Sequence, residues 1–235
     1  MTAAPPVCEV DHLVVAAATL DIGIDYVEAQ LGVRVPLGGK HAIMNTHNAV
    51  MRLGPDVYFE IIAADEAAGP PQRPRWFALD HPEMRARLAV DGAFLATWVA
   101  RTPSLSDLAR ATRLPIGDIT AMSRGTLHWQ AAIRSDGSLL EGGLFPGLII
   151  EWPQGPHPME RMSDLGLVLD KLTLRPAHPE RLRADLASLG IVAGVEVAPV
   201  KRGHSPIEAS IRAADGSSRR LAGGGTPLPD NAICG

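Results

Sequence analysis

His41-Ala42-Ile43-Met44-Asn45-Thr46-His47-Asn48-Ala49-Val50-Met51-Arg52-Leu53-Gly54, running on through Pro55 and Asp56 into Val57-Tyr58-Phe59-Glu60-Ile61-Ile62-Ala63, reads as two strands joined at the turn Gly54-Pro55-Asp56. The strand period of two places Asn48, Val50 and Arg52 on one face and His47, Ala49, Met51 and Leu53 on the other. The second set reads as core with a histidine at its end. Two histidines, an Asn, an Arg and a Glu in one such hairpin need partners, because an isolated buried charge is costly. The hairpin is therefore the leading site candidate.

Upstream of it, Val10 to Ala17 is a β-branched and apolar run that stops at Thr19, a helix N-cap residue. Leu20, Ile24, Val27 and Leu31 then recur at helical spacing, with Gly32 just past the end. Strand, helix and hairpin make a βαβββ module over residues 1–64. Residues 65–92 are a Pro-rich connector, since Gly69-Pro70-Pro71-Gln72-Arg73-Pro74-Arg75 lacks the donors a sheet requires. A second module occupies 93–155, with Ala93–Arg101 as strand, Ser104 as N-cap, Leu105 and Leu108 on a helix, and strands at Ile119–Ser123, Thr126–Arg134 and Leu148–Trp152. A third covers 165–222: Asp170-Lys171-Leu172-Thr173-Leu174 repeats the pattern of Asp11-His12-Leu13-Val14-Val15, and Asp215-Gly216 marks a hairpin turn. Residues 223–235 read as a flexible or loosely docked tail.

The chain of 235 residues carries 22 basic and 26 acidic side chains, a formal charge of -4, and no basic run long enough to follow a phosphate backbone. Nucleic acid is not an expected partner. Cys8 and Cys234 supply neither a disulfide framework nor a cysteine zinc site, and read as reduced thiols. The N-terminus has no signal-peptide pattern, and no stretch approaches the ~20 apolar residues of a membrane span, so a cytoplasmic protein without a membrane partner is expected. Gly223-Gly224-Gly225 is not followed by the Lys-Ser/Thr helix start of a phosphate loop.

Five blocks in order, Val10-Asp11-His12-Leu13-Val14-Val15, Thr46–Gly54, Tyr58–Ala63, Arg73–Asp80 and Pro146–Trp152, resemble the glyoxalase-like branch of the vicinal oxygen chelate superfamily. The resemblance implies an α+β fold of repeated βαβββ modules forming a curved mixed sheet with a concave cup. The first two modules would pair into that cup, with the third beside them or at the interface of a homodimer. It also implies a divalent metal, Zn, Ni, Mn or Fe(II), held by His12, Glu60 and Glu151. The fourth ligand position falls near Thr97 or Trp98, where no ligating side chain occurs. Such a metal would polarise a carbonyl while Glu60 or Glu151 moves the α-proton through an enediolate-like intermediate, the chemistry of a lyase or isomerase on a small oxygenated carbonyl compound.

Other readings stay open at this stage. The missing ligand favours a metal-free protein that sequesters a small molecule, of the bleomycin-resistance type. His47 or His128 in its place would give a two-His-one-carboxylate centre suited to a ring-cleaving dioxygenase. His47, Asn48, Arg52, Arg75, Trp76 and Trp129 are the candidate substrate-binding residues. Arg75 with Trp76 reads as a carboxylate clamp or as an anchor for the connector, and His41 as a loop residue.

Overall fold

The computed structural model describes residues 7–224; most of the expected tail, 225–235, and with it Cys234, lies outside them. The first strand, β1 (Glu9–Ala17), runs into α1 (Leu20–Leu31), whose start is capped by Thr19 accepting from the Ile22 amide. Gly32 closes the helix at φ 70°, a left-handed position where a side chain would be strained. Next come β2 (Leu37–His41), β3 (Thr46–Arg52) and β4 (Tyr58–Ala64). After the connector come α2 (Pro82–Asp91), β5 (Ala93–Arg101), α3 (Leu105–Ala111), β6 (Asp118–Arg124), β7 (Leu127–Ile133) and β8 (Leu148–Glu151). The last group is β9 (Val168–Leu174), α4 (Pro179–Ser188), β10 (Val195–Val197), β11 (Ile207–Arg212) and β12 (Ser218–Ala222).

Eight strands form one mixed sheet in the order β2-β3-β4-β1-β5-β8-β7-β6. Each half is wired alike: β1 lies parallel to β4, and β5 parallel to β8, while β1 and β5 join the halves antiparallel. The sheet curls until its edge strands approach, with Arg124 of β6 reaching Asn48 of β3. This is the curved sheet of an α+β fold.

Alternation divides the residues between two cores. Leu13 and Val15 of β1, Phe59 and Ile61 of β4, and Ala49 and Met51 of β3 face the convex side, where Ile24, Val27 and Leu31 of α1 cover them. Gly23 permits that contact, since a methyl group there would lie 2.4 Å from the Ile61 side chain and 2.7 Å from Ala17. Val14, Val99, Trp129, Ala131, Leu148 and Ile150 face the concave side.

The third group forms a separate four-stranded sheet, β10-β9-β11-β12, and its Leu172, Leu174, Ile207 and Leu221 join the convex core. Its element order repeats that of the first module, but its pairing does not. The strand after the helix, β10, bonds directly to β9, whereas β2 lies three places from β1. The connector also holds a helix that its prolines conceal: α2 begins on Pro82 at the first turn and buries Met84 and Leu88. Cys8 is a buried free thiol whose pKa burial pushes up to about 11. Among the described residues no helix is long and apolar enough to cross a membrane.

Candidate functional site

The concave face is polar in one patch. Asp11 and His12 lie beside a register shift between Val10 and His12 in the β1–β5 pairing. There the Asp11 carboxylate is fully buried, which would raise its pKa, and three donors and a more distant guanidinium answer the cost. His12 Nδ1 lies 2.6 Å from Asp11 Oδ1, while Trp152 Nε1 at 2.8 Å and His157 Nε2 at 3.0 Å meet Oδ2, with Arg101 Nη1 at 3.9 Å. The hydrogen bonds from His12 and His157 outweigh burial and hold Asp11 well below the usual carboxylate range.

On its other side, His12 Nε2 faces Glu60 Oε2 at 3.4 Å, and Tyr58 stacks on the imidazole at 4.2 Å between ring centroids. Burial alone would lower the His12 pKa, but Asp11 and Glu60 reverse the shift and favour the imidazolium. Burial likewise opposes the Glu60 anion, and His12, with His41 and Asn48, holds its pKa below the ordinary value. Asn48 Nδ2 donates to Glu60 Oε1 at 2.5 Å, and its Oδ1 accepts from the Gly39 amide and from Arg124 Nη1. The β3–β4 register sets Asn48 opposite Ile62 and Val50 opposite Glu60, so Asn48 and Glu60 meet diagonally across the ladder. The result is a buried chain, Asp11–His12–Glu60–Asn48, ending at Arg124.

Above the chain is a cavity of about 20 Å³ walled by His41, Trp76, Phe77, Trp129, Ile150 and Trp152. That is room for one water-sized group. Among the described residues, the indole N–H groups of Trp76 and Trp129, two of these wall residues, are buried without a hydrogen-bond partner. His41 lies between them, its ring centroid 4.9 Å from Trp76 and 6.3 Å from Trp129, and burial pushes its pKa down to about 4, so it is neutral. Rather than a loop residue, His41 is the buried last residue of β2. Trp76 and Phe77 reach the cavity from a turn in which Phe77 and Ala78 both take φ 57°. Left-handed backbone at non-glycine residues costs roughly 1–3 kcal/mol each. The Ala78 amide, donating to Gly137 O at 2.7 Å, helps to hold the turn.

The expected residues fall into three groups. His12, Glu60, Asn48, Trp76 and Trp129 come together in the cup. Glu151 does not: it lies on the opposite face of β8 from Ile150, and its Oε2 accepts the Leu105 amide at 2.7 Å, capping α3. The expectation of a metal ligand at Glu151 is corrected by strand alternation, which sends neighbouring side chains to opposite faces. His47 shares the convex side with Ala49 and Met51, and His128 is exposed, so neither supplies a second histidine to the cup. Arg75 is the anchor of its two readings, with Nη1 on Asp80 at 2.6 Å and Nε on Asn45 O at 3.1 Å. The buried Nε of Arg52 has no hydrogen-bond partner among the described residues. Trp98 belongs to the convex core and donates to Leu144 O.

The residues missed in the sequence are Asp11, Arg124 and His157, while His41 lay in the leading stretch but was read as a loop residue. Of the missed three only Asp11 carried a signal, as an acid in an otherwise apolar strand.

A divalent metal would find two ligating side chains in the cup, His12 and Glu60, beside the Asn48 amide. Among the described residues no group of three His, Cys, Asp or Glu side chains could hold one. Among the described residues the second half of the cup turns Val99, Trp129, Ala131, Leu148 and Ile150 inward, none of them a metal ligand. This donor set does not fit the three or four ligands of a protein metal centre.

A family model described as a glyoxalase-like domain matches residues 10–190. A search of curated proteins found no match. Among solved structures, a hypothetical protein from Staphylococcus aureus aligns with a TM-score of 0.52 and 12% identity over 93% of this chain and 86% of that one, a likeness of fold. Methylmalonyl-CoA epimerase from Mycobacterium tuberculosis aligns with a TM-score of 0.38 and 19% identity over 66% of this chain and 94% of that one. A mutant 4-hydroxymandelate synthase from Streptomyces coelicolor gives 0.43 and 11%, over 91% and 61%.

Proposed function

Because the chain belongs to the glyoxalase-like domain family, we propose that its cup performs acid–base chemistry on a small carbonyl compound, moving an α-proton without a metal ion. The observation that carries this reading is the buried Asp11–His12–Glu60 chain, ending at a cavity with two partnerless indole N–H groups. Glu60 takes the proton from the carbon next to the carbonyl, and the C–H electron pair passes into an enolate. The enolate oxygen accepts hydrogen bonds from Trp76 and Trp129, whose N–H groups have lost water in the fold without gaining a protein acceptor. Return of the proton to the same carbon or a neighbouring one completes an isomerase-type step. The His12 imidazolium, fixed by Asp11, keeps Glu60 ionised before the transfer.

Nuclear magnetic resonance in D2O, with EDTA present, tests the reading on a panel of 2-oxo acids and α-hydroxyketones. The wild type should exchange the α-proton of at least one compound, and Glu60→Gln should slow that exchange roughly 10²–10⁴-fold. Exchange abolished by EDTA, or undiminished in Glu60→Gln, sinks the proposal. A second reading, a binding cup without turnover, draws on one observation: both Glu60 oxygens already face protein partners, Asn48 and His12. Compounds that bind without exchanging would favour it.

A further inference from the structure

The inner cavity is too small for more than one end of a ligand, and a much larger cleft of about 590 Å³ opens beside it. Arg124 lines both. Pro36 and Leu37, Leu127 of β7, and Arg161 and Ser163 of the segment after β8 are among its other walls, and among the described residues none that lines it is Asp or Glu.

In a chain of net charge -4, an acid-free cleft with arginines is an uneven distribution. Arg124 spends one hydrogen bond on Asn48 Oδ1 at 3.3 Å and Arg161 is exposed. Arg52, whose backbone amide donates to Ser163 O at 2.9 Å, has a buried Nε with no partner. Among the described residues none of these three guanidinium groups has a carboxylate within ion-pair distance, although most of the other arginines do.

We infer that the outer cleft is an oxyanion subsite: Arg124 and Arg161 bind the carboxylate or phosphate of an elongated ligand whose other end enters the inner cup. Arginine suits this task because its planar fork offers two parallel N–H donors to such a group. Arg124 then has two functions, closing the polar chain through Asn48 and receiving the anion. The inference deepens the acid–base reading and rests on it only for the placement of the reacting end.

Isothermal titration with two probes, inorganic pyrophosphate and succinate, tests it on the full chain at low salt. One probe should bind saturably, pyrophosphate marking a phosphate-bearing ligand and succinate a carboxylate-bearing one. Arg161→Gln and Arg124→Gln should each weaken that binding about tenfold or more, the size of a lost hydrogen bond to a charged group. Glu60→Gln should not weaken it, since loss of a nearby negative charge lessens the repulsion felt by a bound anion at low salt. No saturable binding of either probe, or binding unchanged in both arginine variants, overturns the subsite. Arginine-dependent binding in a protein that exchanges no α-proton would keep the subsite and remove the acid–base reading, so the two failures are distinct. Circular dichroism of each variant separates lost binding from lost fold, and Arg161→Gln, on an exposed side chain, keeps the test open if Arg124→Gln fails to fold.

Discussion

In the first half of the cup, β1, β3 and β4 turn His12, Asn48, Tyr58 and Glu60 inward; in the second, β5, β7 and β8 turn Val99, Trp129, Ala131, Leu148 and Ile150 inward. The strand pairings of the halves are the same, so the backbone imposes no chemistry on either. The first half gathers charge and satisfies it with hydrogen bonds. The second supplies an apolar wall that keeps water away and strengthens those bonds. Among the described residues the second half turns no His, Cys, Asp or Glu into the cup, a difference of side-chain type rather than of fold.

The comparison is broken most severely at Asp11. Asp11→Ala leaves His12, His157 and Trp152 without their acceptor and should cost roughly 3–5 kcal/mol in urea unfolding. Thr97→Val in the second half, which removes a bond to Gly143 O, should cost only about 1 kcal/mol. Equal losses would mean that the halves differ in appearance alone.

The pH dependence of stability comes next. His41 is depressed from 6.5 to about 4, so below 6.5 the unfolded chain gains a proton that the folded chain refuses, and stability should fall as pH drops from 6.5 towards 4. His12 has the opposite sign. Its raised pKa contributes stability in full below 6.5, and loses it as pH rises through the folded value. The lowered pKa values of Asp11 and Glu60 contribute above their unfolded values, and that stability is lost as pH falls through the folded ones. His41→Phe should flatten the slope between pH 6.5 and 4 in thermal melts; an unchanged slope refutes the assignment.

Gly23→Ala should cost about 1–3 kcal/mol, because its methyl has no room against Ile61 and Ala17. A neutral result would show that α1 can lift from the first half of the sheet. The smallest effect separates two tryptophans. Trp129→Phe and Trp98→Phe remove the same volume from buried sites, but only Trp98→Phe strands an acceptor, Leu144 O, so it should cost about 1–3 kcal/mol more than Trp129→Phe. If Trp129→Phe proves the costlier, its N–H is serving the resting fold rather than awaiting a ligand.

Much of this was legible in the chain. Thr19, the spacing of Leu20, Ile24, Val27 and Leu31, and Gly32 defined α1 because caps and helical periodicity act within a few residues. The division of Asn48 and Val50 from Ala49 and Met51 followed from strand alternation alone. Glu60 stood out as a charge in an apolar strand, while His12 came with the resemblance of Val10–Val15 to the glyoxalase-like branch. The same alternation, applied to Leu148-Ile149-Ile150-Glu151, would have set Glu151 apart from the cup had the inward face of β8 been known.

By itself, then, the sequence determined the local elements, the two faces of each strand and the residues that could not be buried alone, because those depend on neighbours along the chain. Only the tertiary structure decided which face was concave, that the third module pairs its strands differently, and that Asp11, His41, Arg124 and His157 converge on His12 and Glu60. Their separation in sequence runs from one residue to well over a hundred, and a hydrogen bond such as that from His157 to Asp11 exists only once the sheet has curled and the segment after β8 has folded back across its mouth.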